Sequence, residues 1–137
     1  MKSPIRIFRN IKSKVYMELV LFYNIMGDKA AQLRSLCEDM KMLCRDVMPF
    51  EFGNRLEDVI AGRACQPCGA PVLFSDEMLV FVGVENGKLF DFLDKFAKRG
   101  ISPVPLKAVA TENNVKWTSA ELRDELEREH RMMSGRS

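Results

Sequence analysis

The chain has 137 residues, 47% of them hydrophobic, with 21 basic against 19 acidic side chains and a net charge of +2. That length suits one domain that buries roughly two-thirds of its unfolded surface and needs no disulfide or metal to fold. The near balance of charge excludes the basic excess of a protein that wraps a nucleic acid backbone.

Residues 1–16 carry Lys2, Arg6, Arg9, Lys12 and Lys14 and no acid, so they are expected to form a loosely packed basic leader ahead of a single α/β domain spanning 17–133. They lack the apolar core of a signal peptide. No apolar run in the chain approaches the ~20 residues of a membrane span. A cytoplasmic protein is the expectation.

Residues 17–24 (MELVLFYN) are β-branched, aromatic and apolar, which predicts a buried strand ending before the turn-like Met26-Gly27-Asp28. Leu33, Leu36, Cys37 and Met40 then fall at i, i+3, i+4 and i+7, one stripe of a helix. Residues 44–50 alternate and end at Pro49-Phe50, as suits an edge strand. Asn54 with Glu57 three positions on predicts a capped short helix that Gly62 terminates. Residues 63–76 hold Pro67, Gly69 and Pro71 without a period and read as a loop. The most apolar strand, 78–84 (MLVFVGV), is followed by a helical stripe of Leu89, Phe92, Leu93 and Phe96 that stops at Gly100. Pro103 and Pro105 lead into a fourth strand at 106–111, and Thr118 with Glu121 is a capping box that opens the last, acidic helix, on which Asp124 with Arg128 and Glu127 with Arg131 are expected to pair at i, i+4.

Two of the strands are apolar on both faces, so both faces of the sheet must be covered. The alternation of strands and helices therefore predicts a three-layer α/β sandwich with a four-stranded, mostly parallel sheet. The alternative is a ferredoxin-like α+β domain, because 19–50 and 79–111 read as two copies of strand, helix, strand.

Lys107-Ala108-Val109, Thr111, Asn114, Trp117, Glu121-Leu122, Glu125-Leu126 and Glu129-His130 form a spaced signature over the fourth strand and the last helix. In these residues the chain resembles the uncharacterised bacterial and archaeal family catalogued as domain of unknown function 3783. Upstream, Pro49, Glu51, Gly53, Leu56, Ala61 and Gly62 resemble the same family, so the likeness spans about residues 17–130. The resemblance implies that Met17 is the natural start, and it implies no activity.

Most chemistries are excluded by what the chain lacks. Cys65 and Cys68 could supply half of a zinc site, but Cys37 sits on a core stripe and Cys44 begins a strand, so no metal is expected. Gly69-Ala70-Pro71 after the pair denies it the helix N-terminus that a redox pair uses. The single histidine, His130, stands near the chain end among Glu129, Arg128 and Arg131, so neither a hydrolytic triad nor a histidine-based metal site is expected. No GxGxxG or GxxxxGK[ST] offers a phosphate cradle, so no cofactor is expected. Nucleic acid is disfavoured: 20–25 only faintly resembles the first RNA-recognition signature, and the second is missing.

What remains is the segment 107–117. If the strands run parallel, Lys107, Thr111, Asn114 and Trp117 would gather at the carboxyl ends of the strands with Asn24 and Glu85. The favoured expectation is a noncatalytic binding or regulatory module that meets an unidentified protein or small molecule through this loop and the acidic helix. The alternative is an enzyme that uses Lys107 and a carboxylate such as Glu85. A structural use of the same residues competes with both, with Asn113 and Asn114 making a turn and Trp117 stapling the helix cap.

Overall fold

Four strands form one sheet in the order β2-β1-β3-β4. The computed structural model describes residues 18–65 and 73–135, so the basic leader, its boundary at Met17, and Cys68 lie outside the described residues. Strand β1 (Leu19–Tyr23) leads into helix α1 (Gly27–Asp39), and β2 (Leu43–Val47) follows. A 3-10 turn (Pro49–Glu51) and the short α2 (Leu56–Ala61) precede β3 (Met78–Val82), α3 (Asn86–Lys98) and β4 (Leu106–Val109). A second 3-10 turn (Asn114–Lys116) delivers the chain to α4 (Ser119–Gly135).

The sheet is mixed. β1 pairs with β2 in parallel and β3 with β4 in parallel, but β1 and β3 run antiparallel, with Leu21 opposite Val80. Each βαβ half therefore keeps its own two strands adjacent, unlike a ferredoxin-like sheet, in which each half is split by a strand of the other.

Strand alternation sends Val20, Phe22, Leu79 and Phe81 to one face and Leu21, Tyr23, Met78 and Val80 to the other. The first face is sealed by α1 and α3 through Leu33, Leu36, Phe92 and Phe96. The second is sealed by α2 and α4 through Leu56, Val59 and Leu122, which makes the three layers expected from strands apolar on both sides. Leu21 sits at the centre of the antiparallel seam with none of its surface exposed. Leu21→Ala would cost about 2 to 5 kcal/mol, because both layers pin the cavity open.

The two halves are related by a pseudo-two-fold axis through the seam. Every residue from Leu19 to Asp39 has its counterpart 59 positions later, from Met78 to Lys98, so that strand matches strand and helix matches helix in length. Asn24 and Gly83, equivalent under this offset, both take left-handed backbone angles where the chain leaves its strand (φ 60 and 77). Glycine and asparagine are the residues that enter that region most readily. The axis also relates two ion pairs: Lys29 Nζ lies 2.5 Å from Glu77, and Lys88 Nζ lies 2.5 Å from Glu18. Each lysine stands on the helix of one half and reaches the residue before the first strand of the other.

Two local expectations are corrected. Asn54 does not cap α2; it exchanges hydrogen bonds with the backbone of Cys65, donating Nδ2–H to its carbonyl at 2.8 Å, and Arg55 takes the cap position without a side-chain bond. Asp124 does not reach Arg128, because Arg123 holds Asp124 at 2.8 Å and Glu125 holds Arg128 at 2.6 Å. Gly62 does end α2 in the left-handed conformation, and Thr118 and Glu121 form their reciprocal capping box at 3.1 and 2.9 Å.

Candidate functional site

The corner between β4 and α4 is built around Asn114, which is 9% exposed. Its Oδ1 accepts the Thr111 amide at 2.7 Å and its Nδ2–H donates to the Val109 carbonyl at 3.0 Å. In return its own amide donates to Thr111 Oγ1 at 3.0 Å. These three bonds turn the chain out of the sheet and satisfy backbone groups that β4 no longer pairs. Trp117 follows with extended backbone, its amide donating to the Asn114 carbonyl at 3.0 Å and its carbonyl accepting from the Leu56 amide at 2.8 Å. Trp117 as a whole is 37% exposed.

The structure brings Thr111, Asn114 and Trp117 together and sets the other three expected residues elsewhere. Lys107 alternates with Leu106 and Ala108, which enter the α2–α4 core, so it stands on the opposite face of the sheet. Its Nζ donates to the Val104 carbonyl at 2.7 Å, toward the start of β4, and partial burial pulls its pKa below the usual lysine value. Asn24 lies at the other end of the sheet, a correction that follows from the antiparallel seam: the end of β1 is beside the beginning of β3. There its Nδ2 donates to the carbonyls of Phe74 and Asp76 at 3.0 and 2.9 Å. Glu85 caps the start of α3 without a side-chain cap bond and lines an open groove of about 950 Å³ with Asp39, Met40, Phe90 and Asp94. Lys107 is not among the residues of that groove.

Two buried polar arrangements had no clear signal in the sequence. Tyr23 and Ser119, both with none of their surface exposed, share a hydrogen bond of 2.7 Å between β1 and the first turn of α4. Burial holds the Tyr23 phenol well above its ordinary pKa, and the Ser119 bond opposes that only in part. Glu51, 4% exposed, accepts the Met48 amide at 2.9 Å and meets Arg45 at 3.2 Å, while Arg45 also donates to the Val59 carbonyl. The first ties α4 to the sheet, and the second ties β2 to α2. No cluster of three or more metal-ligating side chains occurs among the described residues. No helix among them is long and apolar enough to cross a membrane.

The residues of the spaced signature thus lie on consecutive elements, β4, the Asn114 corner and α4. Residues 77–133 match the family described as Domain of unknown function (DUF3783). The DUF3783 match takes in β3, α3, β4, the corner and most of α4, and it leaves Pro49, Glu51, Leu56 and the rest of the first half outside it. Within the DUF3783 segment, Asn114 shapes the corner and Thr118 caps α4, so these signature positions have a structural use. No curated protein and no solved structure matches the chain.

Proposed function

We propose that the protein is a cytoplasmic, noncatalytic binding module whose contact surface is the corner at 111–117 together with the acidic helix α4. The observation that carries this reading is Trp117: a part-exposed indole on backbone fixed from both sides, by Asn114 and by Leu56. An aromatic side chain held in this way loses little freedom on binding, which is why such residues anchor interfaces. Beside it, α4 presents Glu121, Asp124 and Glu129 to solvent, so the surface favours a protein or a small molecule over a nucleic acid. The free thiols of Cys37, Cys44 and Cys65 suit a reducing compartment.

The enzyme reading needs Lys107 and Glu85 to converge on one pocket. The amino group of Lys107 is directed to Val104, ahead of β4, while Glu85 lies beyond the end of the neighbouring parallel strand β3. The geometry therefore supports binding over general acid–base work.

Trp117 is the single tryptophan, so its fluorescence reports on the proposed surface directly. Ready quenching by iodide and an emission shift on titration with metabolite pools or short peptides support the reading. A blue-shifted emission that iodide does not quench and no ligand moves would show the segment to be a structural corner alone.

A further inference from the structure

The outer stripe of α4 points to its occupant. Glu121, Glu125, Arg128 and Met132 follow at i, i+4, i+7 and i+11, which places them on one face of the helix. From Arg128 to Met133 every residue is exposed, so the last turns stand clear of the rest of the described chain, with Met132 54% exposed. The midpoint between Asp124 and Glu125 is halfway between Glu121 and Arg128, and it is also halfway between Trp117 and Met132. Read backwards, the stripe therefore matches itself, acid to base and apolar to apolar.

Resting on the binding-module reading of the Trp117 surface, we infer that the partner there is a second copy of this chain, its α4 laid antiparallel along the first. A two-fold contact requires a self-complementary surface, and this one supplies it. Arg128 of each copy meets Glu121 of the other, and Met132 of each covers the other's Trp117, a thioether-to-indole contact of a favourable kind. The middle of the stripe brings acids together, but each chain already balances them internally. Arg123 holds Asp124 at 2.8 Å and Arg128 holds Glu125 at 2.6 Å. The five N–H donors of an arginine allow Arg128 to serve Glu125 and the other copy's Glu121 together.

Sedimentation velocity on the full chain over a range of concentrations, with Trp117 emission recorded in parallel, tests the pairing. The expected result is a concentration-dependent mass of two chains, with Trp117 losing iodide access as the dimer forms. Arg128→Glu should weaken association at least tenfold, and Glu121→Arg combined with Arg128→Glu should restore it, because the reversed charges again match across the two-fold. Circular dichroism of each variant establishes that the fold is kept. A wild-type chain that stays monomeric at every attainable concentration overturns the inference, as does a double variant no tighter than Glu121→Arg alone, which shares its loss of the capping-box carboxylate. If the monomer's Trp117 is still quenched by iodide and shifted by a ligand, the second-copy inference fails while the binding-module reading stands. If that tryptophan is shielded and unresponsive in the monomer, both fail.

Discussion

Asn114→Asp changes a single side-chain group and separates a structural corner from a free ligand-binding amide. The retained Oδ1 can still accept the Thr111 amide, but the Nδ2–H that donates to Val109 at 3.0 Å is replaced by a second oxygen facing that carbonyl. A lost hydrogen bond with one partner left unsatisfied costs about 1 to 3 kcal/mol. At neutral pH the 9% exposed site must also hold a carboxylate against a carbonyl, so a total of about 2 to 4 kcal/mol is expected. With a urea slope of about 1 to 3 kcal/mol per molar, the unfolding midpoint read by circular dichroism should fall by roughly 1 to 2 M. The deficit should shrink in acid, where a protonated carboxyl can donate to Val109. The new group's pKa is raised in the folded state, so its share of stability is whole below the unfolded value of about 3.9 and lost as pH climbs through the folded one. A change under about 0.5 kcal/mol, the scale of an ordinary surface substitution, would refute the claim that Asn114 is committed to the corner.

Three further outcomes are expected. Tyr23→Phe and Ser119→Ala each strand a buried hydroxyl and should cost about 1 to 3 kcal/mol, while the double variant costs clearly less than their sum; additive losses would deny the Tyr23–Ser119 bond. Because burial raises the Tyr23 pKa, the stability tied to its neutral phenol is present below the unfolded value near 10 and declines as pH rises beyond it, so alkaline unfolding should start later in Tyr23→Phe than in the parent when the two are compared relative to their neutral-pH stability. Lys29→Met should cost more than Lys88→Met, about 1 to 2 against 0.5 to 1 kcal/mol, since Lys29 also donates to the Pro103 carbonyl at 2.9 Å; the opposite ranking in urea unfolding would count against the pairing described here. Burial pushes the Cys37 thiol up to about 12, so iodoacetamide should label exposed Cys65 in the native protein long before Cys37, as peptide mass mapping would reveal.

The layers and elements could be read from the sequence because burial imposes a period, 2 in a strand and 3.6 in a helix. Strand direction could not. Leu19–Tyr23 and Met78–Val82 are apolar at every position, and such a run looks the same from either end. The antiparallel seam sets Asn24 apart from the corner, because the expected site requires strand ends that all point one way. Lys107 stands apart for a different reason: alternation on β4 gives its face only once Leu106 and Ala108 are known to enter the α2–α4 core. Asn114 and Thr118 were legible as turn and cap because their chemistry is local. The Tyr23–Ser119 and Arg45–Glu51 contacts were hidden because a tyrosine in an apolar run reads as core, and a serine beside a cap reads as part of it.

The antiparallel seam also sets an order of assembly. Leu19 meets Leu43 within its own half but must find Val82 across the seam, a much longer loop to close. Each βαβ half is thus expected to form early as its own nucleus, with β1 and β3 zipping afterwards and the symmetric Lys29–Glu77 and Lys88–Glu18 pairs closing last. Truncations at Leu33 and Phe92 should then slow refolding, whereas truncation at Leu21 or Val80 should mainly speed unfolding. Equal effects of all four on the refolding rate would instead mean that the chain condenses as one body, with its internal symmetry leaving no trace in the kinetics.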